Sequence, residues 1–498
     1  MSTAGVDAGA HGRPHAARAG TVAAVDLGAT SGRVIAARVS SNELSMRQLA
    51  RFPNDPVRLA DGLHWDLPGL YRGVLGGLRA AFAAGPVASI GIDSWAVDYA
   101  LMRGERMLGL PFHYRDERTQ AGVDAVHARV PFAELYRRNG LQFLPFNTLY
   151  QLAAEPTALL EAADTALLIP DLIAFQLTGA RVAERTNAST TGLLGVRTGA
   201  WDEELIARLG IHRGLMPELV DPGAEIGPLR AGLAAELGAT ASTRVVAVGS
   251  HDTASAVVGV PMSPGAAYIS CGTWGLVGVE LDAPVTSDAA REANFTNEGG
   301  VDGRIRFLRN VMGLWILSET VRQWEREDGS PVDLPALLAA AEAVTTSPAV
   351  FDVDDARFMP PGDMPARIAE WYREHGVPVP ASRAELARSI VESLAEAFAG
   401  TVRAAAELSG TEVRTVHLVG GGSQNALLCR AVADRLGMPV LAGPVEATAI
   451  GNVLVQARAA GFLAGDLETL RALVARIMPP VRYEPGGRAG ALCDTGPR

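Results

Sequence analysis

Twice in this chain, about 240 residues apart, an apolar strand pattern runs into a turn of small residues and straight out again into a second apolar strand. The first instance reads TVAAVDL, GATSG, RVIAARV between Thr21 and Val39, and the second reads AAYIS, CGTW, GLVGV between Ala266 and Val279. Gly, Ser and Thr between two such runs specify β-hairpins. Their recurrence predicts two units built on related plans. A chain of 498 residues with 48% apolar content suits that division, at roughly 100 to 200 residues per domain. The Pro and Gly of GVPMSPG, Gly259 to Gly265, separate two apolar segments and set the expected boundary, giving units of 21–261 and 266–484. Residues 1–20, rich in Ala, Gly and His, read as a flexible extension and residues 485–498 as a tail.

Elsewhere strand and helix patterns alternate. VHLV leads into GGGSQ, then into the helical run NALLCRAVADRLG with its stop at Gly437, then into the strand PVLAG. A further helical run, EATAIGNVLVQARAAG, stops at Gly461, and a long amphipathic helix starts at Ser382 with Glu385 completing a capping box. The expected class is α/β, with parallel or mixed sheets covered by helices.

Composition removes several functions. The chain contains no lysine, so all 44 basic residues are arginine. A Walker A loop, a protein-kinase active site and a Schiff-base enzyme each need a lysine amine, so none can be built here. Any bound nucleotide must be held by backbone N–H groups, hydroxyls, arginine and a metal. The net charge of −11 opposes nucleic acid and acidic membranes. No apolar run reaches the roughly 18 residues of a membrane span. Three cysteines, Cys271, Cys429 and Cys493, show neither a disulfide framework nor zinc spacing, so a reduced, cytoplasmic setting is expected.

Four motifs could carry chemistry. In DLGATSGR, Asp26 to Arg33, the small turn lets backbone N–H groups approach an anion, Thr30 and Ser31 add hydroxyls, and Arg33 adds charge. The alternative is an ordinary hairpin turn. Asp26, ending a buried strand beside such a turn, suits magnesium. In VVAVGSHDTASAVVGV, Asp252 stands at or near a helix N-terminus, where it is either a cap, the reading this motif alone favours, or a general base kept ionised by the helix dipole. In GIDSWAVDYALM, Asp93 and Asp98 bracket Trp95, which suits either a polyol or a solvated connection. VGGGSQN offers a glycine turn into a helix, a weak signal alone.

The order DLGATSGR, GIDSWAVD, GSHDTASA, SCGTW, VGGGSQN, EATAIGN resembles the FGGY carbohydrate kinases of the actin, hexokinase and Hsp70 superfamily over about residues 21 to 484. That resemblance implies two ribonuclease H-like, actin-like ATPase domains, the first binding sugar and the second ATP, closing on MgATP and sugar at an interdomain cleft. RFPNDP, LHWD, GLPFHYRDERT, LQFLPFNTLYQL, TNASTTGLL, NFTNEGG, NVMGLW and GPVEATAIGN are similar to the rhamnulokinase branch. Carried over, the resemblance implies a first phosphate loop of Ala29, Thr30, Ser31, Gly32 and Arg33, with Thr273 in the second and Asn310, Ser318 and Gly421 on the ATP side. Asp26 would hold magnesium through water. His251, Asp252 and Thr253, with Asp93, Trp95 and Ala96, would face the sugar. Asp252 would be the base toward the 1-hydroxyl of L-rhamnulose, giving ADP and L-rhamnulose 1-phosphate. Two departures stand out: Ala96 replaces the family's usual glycine in TWGVD, and Ser318 stands where glutamine is common. The expected partners are small molecules only, with the protein a monomer or small homo-oligomer. The alternatives are a kinase for L-fuculose, L-ribulose or D-xylulose, and a nonenzymatic actin-like nucleotide- or sugar-binding protein.

Overall fold

The computed structural model describes residues 19–263, 265–345 and 348–486; the extension up to residue 18, the tail from residue 487 and Cys493 lie outside it. Both expected hairpins form. Gly20–Leu27 pairs antiparallel with Ser31–Ser40, and Ala266–Cys271 pairs antiparallel with Trp274–Leu281. In each case the second strand continues into a third antiparallel strand, Glu43–Pro53 in one and Ile305–Met312 in the other. The first strand of each hairpin also takes a parallel neighbour on its other edge, Ser89–Ser94 or Thr415–Val419, which is followed by a second parallel strand, Arg244–Val246 or Val440–Ala442. One antiparallel strand closes that edge in both sheets, Glu225–Pro228 or Val481–Tyr483. Two mixed sheets of six and seven strands thus share one plan, as the repeated hairpin grammar implied. The parallel strands Ser89–Ser94 and Thr415–Val419 are buried along nearly their whole length, as central strands covered on both faces are.

The long helix covers Arg383–Ser409; Ser382 accepts from Glu385 N at 3.2 Å, while the Glu385 carboxylate reaches back to Ala381 N at 2.6 Å. The two later helices span Ala426–Leu436 and Ala447–Ala459, with left-handed glycines at Gly437 and Gly461. No helix of the described residues is long and apolar enough to cross a membrane.

Two helices pass between the sheets. Asp252–Gly259, from the first half, packs Val257 against Tyr268 and Leu308 of the second sheet. Ala447–Ala459, from the second half, packs Ile450, Val453 and Leu454 against Val22 and Ala24 of the first. Its polar face also reaches the first sheet: Gln456 donates to Ala23 O at 3.1 Å and accepts from Ser89 at 2.7 Å. The two helices cross so closely that a Cβ at Gly451 would overlap the Ser255 carbonyl, and one at Gly259 would overlap that of Ala447.

Candidate active site

Alternation along Gly20–Leu27 buries Ala23, Val25 and Leu27 against the outer helices and turns Val22, Ala24 and Asp26 inward, so the one acid of this strand ends at the gap between the sheets. A cleft of about 520 Å³ opens there. One side is the first turn, where Gly28 N donates to Ser31 O at 3.0 Å and Asn54 braces the loop by donating to Gly28 O at 2.8 Å and Thr30 O at 3.1 Å. Facing it are the second turn at Thr273, Asn310 and the glycine turn at Gly420 and Gly421. His251, Asp252, Thr253, Trp95 and Ala96 also line the cleft.

Most of the expected site residues therefore meet: Asp26, Ala29, Thr30, Ser31, Arg33, Trp95, Ala96, His251, Asp252, Thr253, Thr273, Asn310 and Gly421 share this wall. Three do not. Gly32 lies within the second strand of the hairpin, and its bare Cα faces the Phe52 ring, so its small size serves strand packing. Ser318 sits half-buried in the helix Trp315–Asp328, away from the cleft wall. Asp93 is 0% exposed; its Oδ2 accepts from Asn452 at 2.5 Å, across the gap between the two halves. Burial, and then the neighbouring Asp26, hold its carboxyl well above the usual range, and Asp93 is not among the residues that line the cleft.

Arg33 and Trp95 line the cleft with less freedom than the sequence suggested. Arg33 donates to Asp26 at 2.7 Å and to Glu446 from the opposite half, so its charge is already shared by two carboxylates. Trp95 is 6% exposed, packs on Trp65 with centroids 4.0 Å apart, and donates its indole N–H to Asp98. The open rings are those of Phe146 and Trp274. Asp98 is buried behind the wall: one of its carboxylate oxygens accepts from Trp65 at 2.7 Å, Trp95 at 3.0 Å and Tyr114 N at 3.1 Å, and the other from Gln151 at 2.8 Å. Burial lifts its carboxyl to about 7 against these four hydrogen bonds.

This buried carboxylate holds a strained turn. Val97, a β-branched residue, has φ 68°, and Asp98 N donates to Ala96 O at 2.9 Å. The turn pushes Ala96 into the cleft, and Thr148 anchors it by donating to Val97 O at 2.7 Å. Ala96 itself has no positive φ, so a methyl in place of the family glycine acts only by narrowing the pocket. Asp98→Leu is expected to leave four buried donors without this acceptor and to lower stability by about 3 kcal/mol, whereas Asp98→Asn, whose carbonyl oxygen still accepts from Trp65, Trp95 and Tyr114 N and which loses only the bond from Gln151, costs about 1 kcal/mol. Urea unfolding of the two variants tests the difference.

Asp252 is the first residue of its helix, with His251 in the capping position. Its carboxylate caps no backbone N–H; Oδ1 accepts from the Thr253 hydroxyl at 3.0 Å and lies 3.4 Å from His251 Nε2. Its side chain is 32% exposed, into the cleft. The segment before it is pinned by buried Glu184, which accepts from Ser250 N at 3.0 Å and Ser250 Oγ at 2.7 Å. Asp26, by contrast, is 3% exposed: burial lifts its carboxyl to about 6, Arg33 opposes the rise, and Asp252 and Glu446 add to it.

Several wall residues were not singled out from sequence. Glu446, Glu298, Gln142, Phe146 and Asn147 all line the cleft. Gln142 clamps the second sheet by accepting from Asn310 N at 2.9 Å and from its side-chain amide at 3.0 Å. Each lies inside a stretch that carried the resemblance (EATAIGN, NFTNEGG, LQFLPFNTLYQL), but no local pattern marks which residue of the stretch faces inward.

Comparison with known proteins agrees with this geometry. Residues 21–259 match the N-terminal domain, and residues 267–460 the C-terminal domain, of the FGGY family of carbohydrate kinases. The chain is 44% identical over 473 residues to the rhamnulokinase of Pectobacterium carotovorum, covering 93% of each, and 39% identical over 468 residues to that of Bacteroides thetaiotaomicron, covering 93% of this chain and 95% of the other. Its fold is similar to a ligand-bound xylulose kinase from Lactobacillus acidophilus, with TM-score 0.74 at 17% identity over 93% and 94% of the two chains. Plasmodium falciparum glycerol kinase with ADP also gives 0.74, at 14% identity over 94% of each chain. Two sheets of one plan, a cleft between them walled by both hairpin turns, and matches that run through both halves lead to one assignment: the chain belongs to the FGGY family of carbohydrate kinases.

Proposed function

We propose that this kinase transfers the γ-phosphoryl group of ATP to the 1-hydroxyl of L-rhamnulose, giving L-rhamnulose 1-phosphate and ADP, with Asp252 as the general base. The observation that carries the reading is the state of the four acids on the cleft wall. Asp26, Glu298 and Glu446 are each paired with an arginine, and Asp252 alone has none. It is therefore the carboxylate free to orient a hydroxyl and take its proton as the oxygen attacks the γ-phosphorus and the bond to the bridging oxygen breaks. The rhamnulokinases among the relatives supply the choice of sugar, and His251, Thr253 and Ala96 border the space it would occupy.

The turn from Gly28 to Ser31, with Thr273, Asn310 and Gly421 opposite, lines the end suited to ATP. Asp26 fits a divalent cation, because its buried carboxyl sits among Asp252 and Glu446 with only Arg33 in opposition. Asp26 would hold magnesium through water, and the ion, when bound with nucleotide, neutralises charge on the phosphate oxygens. A cytoplasmic setting fits the buried, unpaired thiols of Cys271 and Cys429.

Release of ADP from MgATP across L-rhamnulose, L-fuculose, L-ribulose, D-xylulose and glycerol, with a no-sugar control, tests the reading. The expected result is the highest kcat/KM with L-rhamnulose and slow hydrolysis without sugar. A preference for another sugar overturns the substrate and directs attention to the methyl of Ala96. No sugar-dependent release overturns the kinase reading.

A further inference from the structure

His251 reaches the cleft from the helix of the first half, yet the group that orients it comes from the second sheet. Arg306, in the strand Ile305–Met312, is 0% exposed. Its Nη2 lies 3.0 Å from His251 Nδ1 and 3.1 Å from Glu298 Oε2, and its Nε donates to Gly299 O at 3.0 Å. Glu298, on the adjoining strand Thr296–Gly299, stands directly opposite Arg306 in the antiparallel register. Desolvating a guanidinium this fully costs several kcal/mol, and apolar replacements of such buried pairs are often no less stable, so the pair is weak evidence of a purely stabilising role.

We infer that Arg306, with Glu298 as its counter-ion, is a positioning residue that fixes His251 as the tautomer protonated on Nε2, so that the ring presents an N–H donor to a sugar oxygen in the cleft. A guanidinium cannot accept a hydrogen bond, so at 3.0 Å it must donate to a bare Nδ1; a proton there would point two donors at one another. Glu298 Oε2, at 3.3 Å from Nδ1, is the more distant neighbour. The other ring nitrogen gives the same answer. Nε2 lies 3.4 Å from Asp252 Oδ1, where an N–H is attracted and a bare lone pair repelled. The donor end of the sugar site is thus completed by the second sheet. The His251–Arg306 contact crosses the packed seam between the two halves, so the donor depends on residues of both.

The sugar contact rests on the proposed function, but the tautomer does not, and the test separates them. Long-range 1H–15N correlation spectra of protein carrying 15N-labelled histidine, with His251 assigned through His251→Asn, report which ring nitrogen is protonated. A proton on Nε2 and a bare Nδ1 are expected in the unmodified protein. A proton on Nδ1 would overturn the assignment and leave Arg306 a counter-ion of Glu298 only. Arg306→Met should abolish the single tautomer and raise KM for L-rhamnulose about 10-fold or more, with KM for ATP within about twofold. Arg306→Lys, able to donate to Nδ1, should restore much of both. Equal changes for sugar and ATP, or a lowered Tm with sugar kinetics unchanged, would overturn the positioning role. If Arg306→Met does not fold, Arg306→Met/Glu298→Gln removes both charges, and the spectrum of the unmodified protein still decides the tautomer. A protein with the Nε2–H tautomer that fails to phosphorylate L-rhamnulose would refute the substrate and leave the tautomer standing.

Discussion

Asp252→Asn is expected to slow turnover on the order of 10²-fold or more while ATP binds nearly as before. The amide matches the carboxylate in shape and still accepts from Thr253, but it takes no proton from an attacking hydroxyl and carries no charge to orient one. The competing account, a helix cap, makes the opposite forecast: loss of a cap costs about 1 kcal/mol of stability and leaves kcat alone. Geometry already favours the first, because the Asp252 carboxylate receives no backbone N–H and opens to the cleft. Steady-state kcat and nucleotide titration, read beside Tm, discriminate the two. A variant with parental kcat would remove Asp252 from the chemistry.

Gly451→Ala should destabilise the fold by about 4 kcal/mol, a large effect for one methyl. Alanine favours a helix by about 1 kcal/mol over glycine, so propensity alone predicts a gain. At this position the new Cβ would overlap the carbonyl of Ser255 in the neighbouring helix, and backbone cannot turn aside as a side chain can. The two helices must part, and the one displaced begins with Asp252, so activity should fall together with stability. Gly400→Ala is the control: Gly400 lies inside the helix Arg383–Ser409 with nothing within 4 Å of the added methyl, and there the propensity gain of about 0.5 to 1 kcal/mol should appear undiminished. Denaturant unfolding of both variants tests the contrast. Equal effects would mean that the helix crossing has slack.

Much of the architecture was legible in local chemistry. Both hairpins, the capped helix at Ser382 and the glycine stops at Gly437 and Gly461 formed where turn residues and apolar periodicity put them. The site was legible in part. Residues on turns and strand ends, such as Thr273 and Asp252, reached the cleft, since a strand end beside a small turn has few other places to point. Asp93, two residues before Trp95 in an equally suggestive motif, did not, because its strand neighbours and Asn452 close over it. Arg33 lines the cleft, yet its partner Glu446 is 413 residues away, beyond any local pattern.

The sequence by itself determined the strand and helix grammar, the repeated plan and the exclusion of lysine chemistry, since each follows from short-range sterics, apolar spacing or the bare inventory of side chains. Only the tertiary structure decided which acid stays free. Asp26, Asp93, Asp98 and Asp252 all stand near strand ends and are equivalent as letters. What separates them is the company brought by distant segments: Arg33 with Glu446, Asn452, two indoles with Gln151, and for Asp252 an open cleft. Burial and hydrogen-bond partners set the charge and reach of a carboxylate, and both come from chain hundreds of residues away.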